Sequence, residues 1–436
     1  MKIKKLYLKN FRCFDELTIN FPTDYTVFIG NNGAGKSSIL NALQIALGIF
    51  IGISQQDVRQ FDYESTYKEI NDDDARLKTT STGSTFNQEA QYPVIIGVEA
   101  ESSDKQLISW KRELQAFSLK RNIDTNNILY YLRKLQKGIT NDKNVIAPLI
   151  VYYGTRRQWD KNDSKPENNI LFLPQMNGYV NALSEKPFNI EVMRHWFSRM
   201  LLIARKKPVP EFEAVRNAIS SCYKGIDERK NLKDVIIDYD AEKEDIEIQM
   251  YFDNDKVEIL PLHYLSDGAK SILAIVADIA YRMAILNPHL LDKVITDTDG
   301  IVLIDEIDMH LHPSWQRKIV ESLTKTFPKV QFIFTTHSPT VLTHVQRENI
   351  QILSDGKVYP IDSKTYGRDV NSILREVMQT EIRPSEVKEK LTAFSNAIDD
   401  SDLDTAETLL KELRTILGDN DSEVVSAQVT LDLEKI

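Results

Sequence analysis

The sequence is poor in cysteine and has no long apolar run. Its 436 residues include two cysteines, Cys13 and Cys222, which exclude a disulfide framework or a zinc cluster and suit a reducing compartment. The opening residues Met1–Leu6 carry no apolar segment behind their lysines, which argues against a signal peptide. The longest apolar stretch, Ile39–Ile53, is too short to span a bilayer. We therefore expect a cytoplasmic protein with no membrane partner.

An excess of basic charge is also absent. The chain has 54 basic and 64 acidic residues and a formal net charge of −10, so it is not built to hold nucleic acid through its overall charge. A local basic face stays open, because short clusters such as Lys111-Arg112 and Arg205-Lys206-Lys207 occur. A solvated surface is the favoured explanation of such short clusters. The length is sufficient for two or three domains with a large core.

A glycine-rich segment after an apolar run carries the strongest chemical signal. Thr26–Ile29 predicts a buried parallel strand, and a helix begins near Lys36. The segment between them matches the phosphate-loop spacing GxxxxGK[ST] in full. With the serine that follows it, this segment consists of Gly30, Asn31, Asn32, Gly33, Ala34, Gly35, Lys36, Ser37 and Ser38. Such a loop surrounds phosphate oxygens with backbone N–H groups, and we expect Lys36 to meet the β and γ phosphates of a nucleotide and Ser37 to offer its hydroxyl to Mg²⁺.

Two acidic residues end a second apolar segment. Ile301–Ile304 predicts a buried strand, and Asp305 and Glu306 follow at its carboxyl end. Ligands bind at this end of the strands in open α/β sheets. We therefore expect Asp305 to hold the Mg²⁺ shell and Glu306 to act catalytically, as the general base that polarises the attacking water.

Two weaker motifs lie on either side of the acidic strand. Leu265–Lys270 places Ser266 and Gly268 at the start of an apolar helix, where the dipole and the N–H groups favour a phosphate. Phe332–Ser338 predicts a strand that ends in His337. Taken singly, each motif also has a purely structural explanation. In that explanation Ser266 only caps the helix, and His337 is a structural histidine.

The order of these four motifs resembles that of ABC-type ATPases. The resemblance extends from Met1 to about His344. It implies a head-to-tail dimer that encloses two ATP·Mg²⁺, in which Ser266 and Gly268 of one subunit complete the site of the other. The usual signature is altered at Asp267 and at Ala269-Lys270, which leaves the contacts of this motif open.

The same resemblance assigns two further positions and narrows the subclass. Asp308 corresponds to the D-loop residue, and His337 to the histidine that contacts the γ-phosphate and is counted as catalytic. The segments Leu8–Phe14 and Asp305–Pro313 resemble the RecF, Rad50, SMC and OLD-like ATPases rather than transporter subunits. This likeness adds Arg12 to the residues expected at the nucleotide.

Three other segments resemble the PtuA-type ATPases of Septu and retron-associated anti-phage systems. They are Val151–Arg157, Gly367–Leu374 and the helical hairpin expected from Pro384 to Leu417. The resemblance implies a homodimer or a higher homo-oligomer that works with a separate PtuB-like HNH nuclease. DNA, or a retron reverse transcriptase with its DNA, is a further expected partner.

The predicted fold is α/β, an ABC-type ATPase head with a mixed sheet around the phosphate loop, an antiparallel β subdomain and a helical insertion. We expect the head over residues 1–365, divided into lobes 1–160 and 261–365 and an insertion 161–260. A C-terminal helical domain is expected over 366–436. The polar segment Thr79–Ser84 predicts an exposed loop. A glutamine usually links the two lobes, and Gln44, Gln91 and Gln158 remain candidates for it.

Three other functions stay open. A RecF-like DNA-repair ATPase would need a basic DNA-binding face. A transporter ATP-binding subunit conflicts with the segment His310-Leu311-His312-Pro313 and with the large insertion. A nucleotide-gated scaffold with little turnover conflicts with the presence of Glu306. The two histidines of that segment are weak evidence for a metal pair, so the only metal expected is the Mg²⁺ that accompanies ATP.

Overall fold

The computed structural model describes residues 1–54, 68–82, 85–116, 122–124, 126–141, 144–155, 174–185, 190–229 and 231–435. Two compact units divide the chain, Met1–Arg368 and Asp369–Ile436. No helix in these ranges has both the length and the apolar character needed to cross a membrane.

The first unit holds all the strands that the structure describes. They are β1 (Lys2–Phe11), β2 (Phe14–Asn20), β3 (Tyr25–Gly30), β4 (Arg76–Thr82), β5 (Thr85–Gln91), β6 (Val94–Glu101), β7 (Leu107–Leu114), β8 (Asn122–Asp124), β9 (Leu149–Tyr153), β10 (Leu232–Asp240), β11 (Asp245–Phe252), β12 (Val257–Pro261), β13 (Gly300–Ile304), β14 (Val330–Thr335), β15 (Ile350–Ser354) and β16 (Lys357–Pro360). Its helices are α1 (Lys36–Ser54), α2 (Asn126–Asn141), α3 (Ile190–Ala204), α4 (Pro210–Ile226), α5 (Asp267–Leu286), α6 (Val294–Asp297), α7 (Pro313–Thr326) and α8 (Pro339–Leu342).

The central sheet carries the predicted site. Its six strands lie in the order β16-β15-β3-β14-β13-β9, and every neighbouring pair is parallel except β15 with β16. The apolar strands β13 and β14 are buried along their whole length, as parallel strands covered on both faces are. The carboxyl ends of β3, β14 and β13 share one edge, where the phosphate loop, His337 and the acidic pair follow. The predicted α/β fold with a mixed sheet is confirmed.

An antiparallel sheet forms the second layer. Its five strands lie in the order β2-β1-β6-β7-β8. Along β6 every second residue is buried, which is the pattern of a sheet with one face on the core. The Gln331 side chain on β14 donates to the Ile3 carbonyl at 2.9 Å and accepts from the Ile3 N–H at 2.6 Å. This buried amide fixes the start of β1 in the antiparallel sheet to β14 of the central sheet.

The expectation of a loop at Thr79–Ser84 was wrong over its described part. Residues up to Thr82 belong to β4, which pairs with β5 in an antiparallel hairpin, with Thr79 opposite Gln88. The side chains described on β5 are solvent-exposed or half-buried. A hairpin with few buried apolar residues has no alternating hydrophobic pattern, so its polar sequence resembles a loop. The β-branched threonines nevertheless favour the extended backbone.

The second unit is helical. It consists of α9 (Val370–Glu376), α10 (Ser385–Asp399), α11 (Leu403–Leu417) and α12 (Ser422–Glu434). The last three helices share one apolar core that includes Phe394, Leu410 and Leu413. The predicted hairpin corresponds to α10 and α11. The third helix of the core, α12, packs on α11.

Candidate nucleotide-binding site

The phosphate loop extends from the end of β3 to the start of α1. Gly33 and Gly35 have φ angles of 80° and 102°, a left-handed region that glycine adopts without strain. Gly35 also lacks room for a side chain, because an added Cβ would lie 2.5 Å from the Phe14 ring and 2.6 Å from Cys13 Sγ. The residues Asn31–Gly33 are exposed. The loop therefore has the torsions and the open face that phosphate binding requires.

The remaining loop residues surround the first turn of α1. The Ala34 N–H donates to the Asn31 carbonyl at 3.1 Å, which closes the loop. Ser37 is exposed at the helix start, and Ser38 lies beside Cys13. Burial raises the pKa of the Cys13 thiol, and the hydrogen bond from Ser38 opposes that shift. The Cys13 side chain therefore supports the loop as a neutral thiol.

Lys36 lies beneath the loop and is 6 % exposed. Its Nζ donates to the Gly30 carbonyl at 2.8 Å and to the Asn31 carbonyl at 3.1 Å. Burial lowers the pKa of Lys36, and the carboxylates of the acidic segment, Asp305, Glu306 and Asp308, oppose this shift. The structure thus brings the lysine and the predicted carboxylates into one electrostatic neighbourhood at the sheet edge.

A threonine joins the two residues of the acidic pair. Thr335 ends β14 and lies alongside Asp305, because β13 and β14 run parallel with Ile304 opposite Phe334. Its hydroxyl donates to Asp305 Oδ1 and accepts from the Glu306 N–H at 2.8 Å. Asp305 is 4 % exposed, and Glu306 has a φ of 47°. The sequence motifs do not single out Thr335, although a hydroxyl residue at the end of the neighbouring strand was the available signal.

The next threonine holds Asp308 in a similar way. The Thr336 hydroxyl donates to Asp308 Oδ1 and accepts from the Ser338 N–H at 3.0 Å. Ser338 Oγ in turn donates to Gln316 Oε1 at 2.7 Å, and the Gln316 amide donates to the Leu311 carbonyl at 3.0 Å. His337 is half-buried and lies in the sequence between Thr336 and Ser338, which both take part in these bonds. The D-loop position and the histidine strand are therefore joined by one hydrogen-bonded network.

The LSxG motif begins α5 as expected. Ser266 is exposed and caps the helix, accepting from the Ala269 N–H at 3.4 Å. Gly268 is buried against the loop that follows Asp308, because an added Cβ would lie 2.4 Å from the His310 carbonyl oxygen. Glycine is therefore required at this position, because the backbone at His310 approaches too closely to leave room for a Cβ atom. Contact of Ser266 with a nucleotide stays a prediction.

Arg12 lies in the tight turn between β1 and β2, directly before Cys13. Its Nε donates to Asp74 Oδ1 at 2.9 Å, and its N–H donates to the Asp74 carbonyl at 2.8 Å. The guanidinium stands over the Phe11 ring, 5.4 Å from the centroid. The structure places Arg12 beside the phosphate loop but pairs it with Asp74, and its nucleotide role stays a prediction.

The glutamines, arginines and histidines that the sequence also offered as candidates have no established role at the nucleotide. Gln44 is fully buried and donates to the Leu183 carbonyl at 2.9 Å. Gln91 lies on β5, and Gln158, Arg156 and Arg157 lie outside the described residues. His312 caps α7 by accepting from the Ser314 N–H. The described ranges contain no cluster of three or more His, Cys, Asp or Glu side chains suited to a metal.

Two oxygen donors suit the Mg²⁺ that accompanies ATP. Ser37 offers an exposed hydroxyl at the helix start, and Asp305 offers a carboxylate at the end of the strand beside Thr335. Magnesium prefers hard oxygen ligands and keeps several waters, so two protein ligands with the phosphates form a suitable set. The donor chemistry therefore fits the metal.

The comparison with protein families agrees with this geometry. The family model described as "AAA domain, putative AbiEii toxin, Type IV TA system" matches residues 25–343, from β3 to beyond His337. This chain belongs to that AAA family. It is an ATPase, and the matched span of the AAA domain includes the phosphate loop, the acidic strand and the LSxG motif.

Relatives of this AAA ATPase have names from anti-phage systems. The retron Ec83 probable ATPase of Escherichia coli is 28 % identical over 89 % of this chain and 78 % of its own length. The Septu protein PtuA of Bacillus mycoides (strain KBAB4) is 25 % identical over 81 % of this chain and 41 % of its own length. Among solved structures, the Smc head bound to the C-winged helix domain of ScpA aligns with 84 % of this chain and 98 % of that chain, at 17 % identity and a TM-score of 0.46. The suspected kinship with retron and Septu ATPases is confirmed.

Proposed function

We propose that this ATPase binds ATP·Mg²⁺ at the carboxyl edge of the central sheet through Lys36, Ser37 and Asp305. The observation that carries the proposal is the parallel pairing of β3, β14 and β13, which brings Lys36 and the acidic segment to one edge of the sheet. The ammonium and the loop N–H groups would neutralise the phosphates, and Ser37 and Asp305 would hold Mg²⁺, which would supply further positive charge against the phosphate oxygens. Ser38, the next residue in the first turn of α1, belongs to the same cradle.

Hydrolysis in this proposal depends on Glu306 and His337. The Glu306 carboxylate takes a proton from water as its oxygen attacks the γ-phosphorus and the bond to ADP breaks. The Thr335 hydroxyl accepts a hydrogen bond from the Glu306 N–H and so fixes the Glu306 backbone. This contact supports the role because the backbone position determines where the Glu306 side chain begins. His337 donates to a γ-phosphate oxygen and so stabilises the charge that develops there.

The dimer is the second part of the proposal. Ser266 and Gly268 begin a 20-residue helix, and Ser266 is exposed. A helix start with an exposed hydroxyl suits an anion, and we assign it the phosphates held by the loop of a second subunit. Asp308 lies at the same interface, so each nucleotide sets the geometry of both copies.

The third part concerns the biological setting. The named relatives support an ATPase of anti-phage defence. We assign this chain to a cytoplasmic complex in which its nucleotide state controls a separate PtuB-like HNH nuclease. DNA, or a retron reverse transcriptase with its DNA, is the nucleic-acid component of that complex.

Glu306→Gln tests the nucleotide dimer. With ATP and Mg²⁺ this variant should elute as a stable dimer in size-exclusion chromatography with light scattering, because hydrolysis no longer opens it. Lys36→Ala is the matched control and should bind ATP at least tenfold more weakly, since the loop loses its point charge. Equal ATP affinity of wild type and Lys36→Ala, measured by calorimetry, would refute the proposed site.

A pull-down from the native host tests the setting. The tagged chain should bring down an HNH protein, identified by mass spectrometry, and the bound nucleic acid should be sequenced. Salt-sensitive DNA binding without any nuclease would instead favour a RecF-like repair ATPase. Recovery of a membrane protein would favour a transporter subunit.

A further inference from the structure

The last helix of the second unit is apolar on two opposite faces. One face of α12 enters the core of the unit with Val424, Ala427 and Leu431. On the other face, Val425, Val429 and Leu433 are 48 %, 53 % and 65 % exposed. Their spacing of four residues places all three on one side of the helix, and we name them the α12 stripe. A surface helix normally carries polar residues there, so this stripe has the composition of a contact surface.

The charge of the second unit is strongly one-sided. Residues 369–436 contain 7 basic and 16 acidic residues, which leaves 47 basic and 48 acidic residues for residues 1–368. The net charge of −10 therefore lies almost entirely in the second unit. The helix α12 itself contains Glu423, Asp432 and Glu434 and no lysine or arginine. The apolar stripe thus lies on a unit with a net negative charge, on a helix whose charged residues are all acidic.

We propose that the α12 stripe docks a basic amphipathic helix of a partner protein. The apolar side of such a helix covers Val425, Val429 and Leu433, and its lysines or arginines face Asp432 and the net negative charge of the unit. The charge also discriminates against other occupants, since nucleic acid and a second copy of this unit are both negative. The proposal is independent of the ATPase chemistry, so its test uses no nucleotide.

The probe is a fluorescent synthetic peptide of leucine and lysine, about 14 residues long, which matches the length of α12. Anisotropy with the full chain should show saturable binding. Two control peptides test the chemistry: one has the same composition in an order without a continuous apolar face, and one replaces lysine with glutamate. Both controls should bind at least tenfold more weakly.

Substitutions locate the binding surface. The triple variant Val425→Ser, Val429→Ser, Leu433→Ser should weaken peptide binding at least tenfold, and these exposed positions leave the core of the unit intact. Val257→Ser with Ile259→Ser is the matched control, because these residues of β12 are 46 % and 50 % exposed in the other unit. This control should bind the peptide like wild type.

The following outcomes would overturn the proposal. If the triple variant binds the peptide as tightly as wild type, or if the reordered peptide binds equally well, the stripe is not the docking site. If the nucleotide-free chain self-associates in sedimentation and the triple variant does not, the stripe is an interface between copies. Circular dichroism of each variant separates either outcome from unfolding.

Discussion

At the scale of single residues, Thr335 positions Asp305 and Glu306, the carboxylates that we propose for Mg²⁺ binding and catalysis. Its hydroxyl bonds Asp305 and the Glu306 backbone at once. We predict that Thr335→Val lowers kcat about 10- to 100-fold and raises the Mg²⁺ requirement, because partners of metal-binding groups have effects of that size. ATP affinity should change little, since Lys36 is untouched, and Thr335→Ser should restore activity. Steady-state kinetics across Mg²⁺ concentrations measures this, and an unchanged kcat in Thr335→Val would contradict it.

Gly268 is a second residue with a sharp requirement. A methyl group there would lie 2.4 Å from the His310 carbonyl oxygen, which belongs to the backbone and cannot rotate away. We predict that Gly268→Ala costs about 1–3 kcal/mol of unfolding free energy, as overpacking does. Gly97→Ala is the control, because its nearest neighbour would be 3.6 Å away. Urea denaturation compares the two, and equal midpoints would contradict the packing argument.

The sequence predicted most of the residues at the sheet edge and missed those that support them. Lys36, Asp305 and His337 follow from spacing and from the strand before each motif. Thr335 did not, because its role depends on which strand lies beside β13. The contact between Gly268 and the loop after Asp308 joins segments about 40 residues apart in the chain, and no local pattern reveals it.

At the scale of elements, hydrophobic periodicity determined which helices and strands could be predicted from the sequence. The stripes of α10 and α11 predicted a hairpin because their apolar residues lie on one face. The helix α12 has apolar residues on both faces, so its periodicity is weak. The hairpin β4–β5 buries little, and its threonine-rich sequence was mistaken for a loop. Elements with one apolar and one polar face are predictable from periodicity, and elements whose two faces are alike are not.

The core of the second unit should depend on a few buried leucines. Leu413 is fully buried between the helices, while Leu433 is 65 % exposed. We predict that Leu413→Ala destabilises this unit by about 2–5 kcal/mol, and that Leu433→Ala changes its stability by less than about 0.5 kcal/mol. Hydrogen exchange of the amides in α10–α12 measures the difference. Equal protection in both variants would show that these helices have no shared core.

At the scale of the whole molecule, charge and chemistry are divided between the two units. The first unit carries the nucleotide chemistry and is nearly neutral, and the second carries nearly all the net negative charge. The net charge of the whole chain is a single figure and does not reveal this division. The ATPase identity did follow from the order of the four motifs. Completion of each site by a second copy remains a proposal.

Complementation between two variants tests that claim most directly. Lys36→Ala removes the loop charge, and Ser266→Arg blocks the helix start, so each protein alone should hydrolyse little ATP. In an equimolar mixture, half of the dimers pair one copy of each, and one site of such a dimer has both an intact loop and an intact Ser266. The account predicts that mixing restores up to about a quarter of wild-type activity. Wild-type hydrolysis by Ser266→Arg alone would contradict it.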